Sequence, residues 1–174
     1  MRAKTETLLQ FMLVLSWISF IGLLVKCGAV LFLYVFSLFN ADSTRSFYLG
    51  VNLYELYQYS FWQLSLFTSW MVILAGLQAY IAYLVINVLS KIKLVNPFQM
   101  EIAQQLEKIA YYIFGSWIIT VFSNAHTKWL MKRFDGMEDN LLGTEFIFLA
   151  GVVFIFSQVF KKGVEIQSEN ELTV

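Results

Sequence analysis

Long stretches without a charged side chain limit the folds that this sequence can adopt. Residues 8–25 carry no charge, and after Lys26 the apolar character continues to Phe39. Residues 61–89 form a second uncharged run. As helices rising about 1.5 Å per residue, both stretches are long enough to cross the roughly 30 Å hydrocarbon core of a bilayer.

Two further apolar segments follow. Residues 109–131 are apolar with a more polar second half, and residues 141–160 are interrupted only by Glu145. Because unpaired backbone N–H and C=O groups are not tolerated in lipid, each segment is predicted to be a helix. The sequence therefore predicts a single-domain, all-α integral membrane protein with four spans at about residues 8–36, 61–89, 109–131 and 141–160.

The composition is typical of a membrane protein, and the charge balance argues against direct binding of nucleic acid. Of 174 residues, 59% are hydrophobic and 14% are charged, whereas soluble domains have roughly 25% charged residues. Twelve basic and twelve acidic residues cancel, so no large electrostatic field exists to hold nucleic acid directly. Cys27 is the single cysteine, which excludes a disulfide within one chain.

The distribution of Lys and Arg predicts the orientation of the spans. One side of the predicted membrane carries seven basic residues, namely Arg2, Lys4, Lys91, Lys93, Lys108, Lys161 and Lys162. The other side carries four, namely Arg45, Lys128, Lys132 and Arg133. By the positive-inside rule, both termini, the Lys91 segment and the tail at 161–174 are predicted to be cytoplasmic.

The N-terminus has an alternative interpretation. A basic start, an apolar run and Cys27 are features of a lipoprotein signal peptide. Lys26 stands where such a cleavage site needs a small residue, and apolar sequence continues past it. We therefore expect the first span to be retained.

Residues 97–108 have a two-faced pattern that differs from the spans around them. Asn96 is a good helix cap and Pro97 suits the first helical position, so a helix is predicted to begin at Pro97. Apolar residues recur at spacings of three and four, at Phe98, Ile102, Leu106, Ile109 and Ile113. The opposite face is polar and is predicted to point to water, at Gln99, Glu101, Gln104, Gln105, Glu107 and Lys108. This pattern predicts a cytoplasmic amphipathic helix that continues into the third span, with Gly115 as a bend.

Three sets of residues point to a family. They are Asn96, Pro97 and Phe98 in the inner connection, Leu106 and Ala110 in the following helix, and the C-terminal set Phe160, Gly163, Glu165, Glu171, Leu172 and Thr173. With these residues the chain resembles, over nearly its whole length, the bacterial membrane proteins called domain of unknown function 2975 (DUF2975). The first two spans match only as hydrophobic helices.

The resemblance implies four membrane helices in the bacterial cytoplasmic membrane and no assigned activity. Members of the family are often encoded beside a small helix-turn-helix regulator, which implies a transcription factor as a cytoplasmic partner. On this basis the candidate docking residues are Asn96, Pro97, Phe98, Glu101, Gln105, Glu107, Glu165, Glu169 and Glu171.

Candidate residues for chemistry are few. No Gly-rich phosphate loop, pair of inward carboxylates or HExxH pattern is present, so we expect neither an enzyme nor a cofactor or metal site. His126 is interpreted as a polar residue at the outer end of the third span. Lys26 lies near the outer end of the first span, where its ammonium group can reach the outer interface. Gln78 is expected to hydrogen-bond to another helix.

Two functions remain in competition. The first is an interaction or regulatory protein that presents the 97–108 helix and the acidic tail to a cytoplasmic partner. The alternative is a subunit of a small transporter or channel, in which copies of the chain would form a homo-oligomer. Against the alternative, no acidic residue lies in the middle of a span, although proton-coupled transport usually needs one.

The predicted orientation can be tested by thiol labelling. In a Cys27→Ser background, single cysteines at Ser43, Gln99 and Ser168 would be exposed to an impermeant thiol reagent in intact cells. We expect labelling at Ser43 alone, because the other two positions are predicted to be cytoplasmic. Labelling at Gln99 without labelling at Ser43 would reverse the orientation.

Overall fold

Every regular element in the described part of the chain is a helix. The structure, a computed structural model, describes residues 2–47, 52–92, 98–133 and 146–172. The elements are α1 (Arg2–Ser37), a 3₁₀ helix (Ala41–Ser46), α2 (Tyr54–Tyr59), α3 (Phe61–Lys91), α4 (Met100–Met131) and α5 (Phe146–Leu172). The all-α prediction is confirmed.

Two of the described helices are long and apolar enough to cross a membrane. They are the Glu6–Ser37 part of α1, with a mean hydropathy of 2.3, and Phe61–Lys91, with a mean hydropathy of 2.0. A core helix of a soluble protein meets the same criteria but is mostly buried, and an N-terminal signal sequence meets them as well. Here 0% of the apolar window of α1 and 33% of that of α3 is buried.

The start of α4 and the end of α5 differ from the predicted bounds. Asn96 and Pro97, where the amphipathic helix was expected to begin, lie outside the described residues. Phe98 and Gln99 precede the helix, and the carbonyl of Gln99 accepts a hydrogen bond from the N–H of Ala103 at 3.1 Å. From Met100, α4 is one continuous helix through Gly115. The last helix, α5, continues from Phe146 to Leu172, so the predicted cytoplasmic tail is helical as far as it is described.

The chain divides into two compact units. The first unit comprises Met1–Ile21, Ala79–Gly115 and Glu145–Val174, and the second comprises Gly22–Gln78 and Ser116–Thr144. The buried core of the first unit is formed by Leu84, Val88, Ile102, Ile109, Ile113 and Ala150. That of the second is formed by Val30, Phe47, Leu53, Leu56, Leu64, Phe67 and Leu130.

The segment between α1 and α3 is a packed part of the second unit. The side chain of Asn40 caps the 3₁₀ helix by accepting a hydrogen bond from the N–H of Asp42 at 3.1 Å. The N–H of Leu53 donates to the carbonyl of Thr44 at 2.7 Å. Leu53 and Leu56 are fully buried. The sequence predicted this segment only as an outer connection and did not predict that it contributes to the core.

The faces of α4 from Phe114 to Thr127 are reversed relative to a helix of a soluble protein. Hydroxyl residues at spacings of three and four are buried, at Ser116, Thr120, Ser123 and Thr127. Large apolar residues are exposed, at Phe114, Ile118, Val121 and Phe122. The same reversal occurs in α5, where Ser157 is completely buried while Ile155, Phe156 and Val159 are exposed. Single exposed apolar residues are common in soluble proteins, but whole exposed apolar faces indicate a surface that something covers.

Candidate functional site

Seven charged residues of the first unit lie at the end of α3, in the first turns of α4 and in the second half of α5. We define the charged surface as Lys91, Glu101, Glu107, Lys161, Lys162, Glu165 and Glu169. Three ion pairs join its members, each described below. The lysines Lys91, Lys161 and Lys162 were not among the predicted docking residues, although the sequence predicted their side of the membrane.

The pair between Glu107 and Lys161 joins α4 to α5. Glu107 Oε2 and Lys161 Nζ are 2.8 Å apart, and the two side chains are 23% and 30% exposed. The prediction that Glu107 points to water is therefore wrong, because α5 packs over this part of the predicted polar face. Removing one partner of a partly buried pair leaves the other charge incompletely solvated, which makes this pair more important to the structure than an exposed one.

The other two pairs lie in water. Lys91 Nζ binds Glu101 Oε1, which links the end of α3 to the first turn of α4. Lys162 Nζ donates to Glu165 Oε2 at 2.7 Å within one turn of α5. This hydrogen bond raises the pKa of Lys162 above its usual value. Exposed pairs of this kind add little stability, and their side chains can exchange partners.

An aromatic contact joins Phe98, which lies two residues before α4, to α5. The rings of Phe98 and Phe160 have centroids 5.4 Å apart. Gly163 lies beneath the Phe98 ring, because a Cβ at this position would be 2.7 Å from Cε1 and 2.9 Å from Cγ of that ring. Such distances are too short for a real contact, so the ring occupies space that only glycine leaves open.

The remaining predicted docking residues differ from one another in burial. Gln105 is half-buried, and its Oε1 is buried without a hydrogen-bond partner. Glu165 and Glu169 are exposed on α5. Glu171 belongs to α5, but its side chain lies outside the described residues, as do Asn96 and Pro97.

His126 has a specific partner in the second unit. Its Nε2 lies 2.8 Å from Oε1 of Gln63, which joins α4 to α3. The imidazole stacks on Trp129 with centroids 6.3 Å apart, and Nδ1 is buried without a hydrogen-bond partner. The sequence analysis did not identify Gln63 as this partner, because the two residues are 63 positions apart.

The other intramembrane candidates do not converge on His126 in any described contact. Lys26 and Gln78 are both half-buried. Within the described ranges, no three His, Cys, Asp or Glu side chains are grouped so that they could hold a metal ion. The acidic residues that follow His126 in the sequence include Glu138, Asp139 and Glu145, which lie outside those ranges.

The described part of the chain is all-helical, with two helices that are long and apolar enough to cross a membrane. A family model described as protein of unknown function (DUF2975) matches residues 48–174. The chain belongs to this family, and the predicted recognition is confirmed. The match contains α2 to α5 and leaves α1 outside it. Searches of curated proteins and of solved structures found no match.

The contact of Phe98 with Gly163 predicts an unequal response to glycine substitution. We expect Gly163→Ala to lower the free energy of unfolding by about 1–3 kcal/mol, because the new methyl group overlaps the ring. Gly151→Ala is the matched control on the same helix. No atom lies within 4 Å of a Cβ at Gly151, so this change should be neutral or stabilising by up to about 1 kcal/mol.

A double variant tests the cause. Thermal unfolding in mild detergent would be compared for Gly163→Ala, Phe98→Ala and the two together. The double variant should lose less stability than the sum of the single variants, since the overlap is gone once the ring is removed. Strict additivity would mean that the ring does not occupy the space above Gly163.

Proposed function

We propose that this chain is a four-span membrane protein whose charged surface binds a cytoplasmic partner. The observation that carries the membrane part is the reversal of polarity on α4 and α5. A helix that buries Thr120 and exposes Phe122 is stable where its outward face meets lipid. Lipid tails are as apolar as the side chains, so there is no hydrophobic driving force to bury those side chains inside the protein.

The long helices share this character. In α1 the exposed large apolar residues include Phe11, Ile18, Val25 and Phe32. In α5 Phe148 and Ile155 are 79% and 63% exposed. A water-soluble monomer rarely exposes apolar patches larger than a few hundred Å². Lipid covering these faces accounts for all of them with one environment, which supports four spans. The bias of Lys and Arg residues supports an orientation with both termini in the cytoplasm.

A charge placed on the exposed face of α4 distinguishes lipid from water. We expect Ile118→Lys to prevent stable insertion of the chain, because a lysine near the centre of a membrane helix costs about 2.5–3.5 kcal/mol. In water the same change at an exposed position would be harmless. Gln104→Lys is the matched control, since Gln104 is an exposed residue of α4 in its polar first part.

The measurement is the amount of each variant that accumulates in the carbonate-resistant membrane fraction relative to the wild type, because α1, α3 and α5 would still anchor a chain whose α4 is not stably inserted, but such a chain is misfolded and degraded. Loss of Ile118→Lys from the membrane with retention of Gln104→Lys supports a lipid-facing α4. If Ile118→Lys is retained like the wild type, α4 does not cross the membrane at this position.

The interaction role follows from the charged surface. Glu101, Lys162 and Glu165 are more than half exposed, and the helical extension of α5 holds the last two on a rigid element. Rigid presentation reduces the entropy lost on binding, which favours use of such a surface for recognition. The DUF2975 resemblance suggests a repressor-type helix-turn-helix regulator as the partner.

Charge reversal tests this role without disturbing the half-buried pair. Glu101→Lys combined with Glu165→Lys changes two exposed carboxylates and leaves Glu107 intact. We expect insertion to be unchanged and co-purification of the regulator encoded beside the gene to fall about tenfold or more, because like charges across an interface cost several kcal/mol. Glu55→Lys, an exposed reversal in the second unit, is the control. Equal recovery of the regulator with all three proteins would refute the docking role, as would its absence from the wild-type preparation.

A further inference from the structure

A cleft opens in the first unit between the beginning of α1 and the end of α3. Its volume is about 430 Å³. The α1 side is formed by positions 6, 9, 10 and 13, which share one helical face. The cleft is separate from the charged surface, as none of its lining residues belongs to that set.

The lining of the cleft mixes polar and apolar side chains. Along α1 it runs from Glu6 through Leu9 and Gln10 to Leu13, which is about 10 Å along the helix axis. The other side is formed by Leu89, Ser90 and Ile92. A carboxylate at one end of a lining that also contains leucine and isoleucine side chains fits an amphiphile, with its headgroup at Glu6 and an acyl chain along the leucines.

The charge of the lining selects the headgroup. Among the described residues that line the cleft, Glu6 is the one charged side chain, and it is exposed. A carboxylate attracts a cation and repels an anionic lipid. It accepts a short, charge-assisted hydrogen bond from a primary ammonium group, which has N–H donors, but not from a quaternary ammonium group, which has none.

We propose that this cleft binds a phospholipid with a primary ammonium headgroup, of the phosphatidylethanolamine type. The ammonium group donates to the Glu6 carboxylate, and the amide of Gln10 and the hydroxyl of Ser90 are the neutral polar groups beside it. One acyl chain lies against Leu9, Leu13 and Leu89. This inference rests on the proposed insertion of the chain in a membrane, which brings the cleft to the level of the cytoplasmic headgroups.

Lipid competition tests the proposal on the full chain. The protein in mild detergent would be mixed with phosphatidylethanolamine, phosphatidylcholine and phosphatidylglycerol of identical acyl chains, and bound lipid would be counted by native mass spectrometry. We expect the wild type to prefer phosphatidylethanolamine over phosphatidylcholine by about tenfold, the effect of one charge-assisted hydrogen bond. Phosphatidylglycerol should bind more weakly still.

Three variants locate the site. Glu6→Gln should reduce the preference to about twofold or less, because the amide is neutral. Glu55→Gln, which changes an exposed glutamate of α2, should keep the wild-type preference. Leu13→Trp should lower the number of bound lipids of every type, because the indole fills the apolar part of the cleft.

The outcomes separate this inference from the proposed membrane function. Equal binding of the three lipids by the wild type, or an unchanged preference in Glu6→Gln, overturns the lipid site while carbonate-resistant insertion still holds. Preference for phosphatidylglycerol overturns it as well. A dimer that forms without lipid and is disrupted by Leu13→Trp would assign the cleft to a second copy of the chain instead. A chain that is fully released by carbonate would refute the membrane function itself.

Discussion

The structure depends on serine and threonine side chains that complete their hydrogen bonds within their own helix. Thr127 Oγ1 donates to the carbonyl of Ser123 at 2.9 Å, and Ser157 Oγ donates to that of Phe154 at 2.7 Å. A hydroxyl that is satisfied in this way can be buried without a partner on another helix, so it carries little of the usual penalty for burying a polar group.

This local satisfaction leaves the large side chains free to face outwards. Small hydroxyl residues on the buried face of α4 let neighbouring helices approach closely. The bulky residues, such as Phe114 and Phe122, are then exposed. Dense apolar packing is concentrated in the two separate cores, one built around Ile109 and the other around Leu64. The hydrogen bond between His126 and Gln63 differs from these local bonds, because it connects two helices, α4 and α3, within the second unit.

Local sequence signals predicted the helices well and their contacts poorly. The uncharged runs were sufficient for α1 and α3, because a long apolar segment has few alternatives to a helix. The 3₁₀ helix and α2 also had local signals that could have been used, since Asn40 and Asn52 each accept a hydrogen bond from a backbone N–H two residues later. Asparagine in that position is typical of turns and helix starts.

The missed features of the charged surface are tertiary. Glu107 has the helical position of a water-facing residue, and only the approach of α5 turns it into a half-buried partner of Lys161. Gly163 was recognised as part of a family signature, yet its physical role depends on where the Phe98 ring lies. No helical periodicity within α4 or α5 contains that information, because the two positions are brought together by the packing of one helix on another and not by spacing along one helix.

These tertiary contacts make the charged surface sensitive to movement of the helices beneath it. The pairs at Glu101 and Glu107 attach the first two turns of α4 to α3 on one side and to α5 on the other. A shift of α4 along its axis would change the separation of Glu107 from Lys161 and that of Glu101 from Lys91. The arrangement of exposed charges is therefore tied to the position of α4, which is what the proposed docking role requires if α4 is to affect binding at this surface.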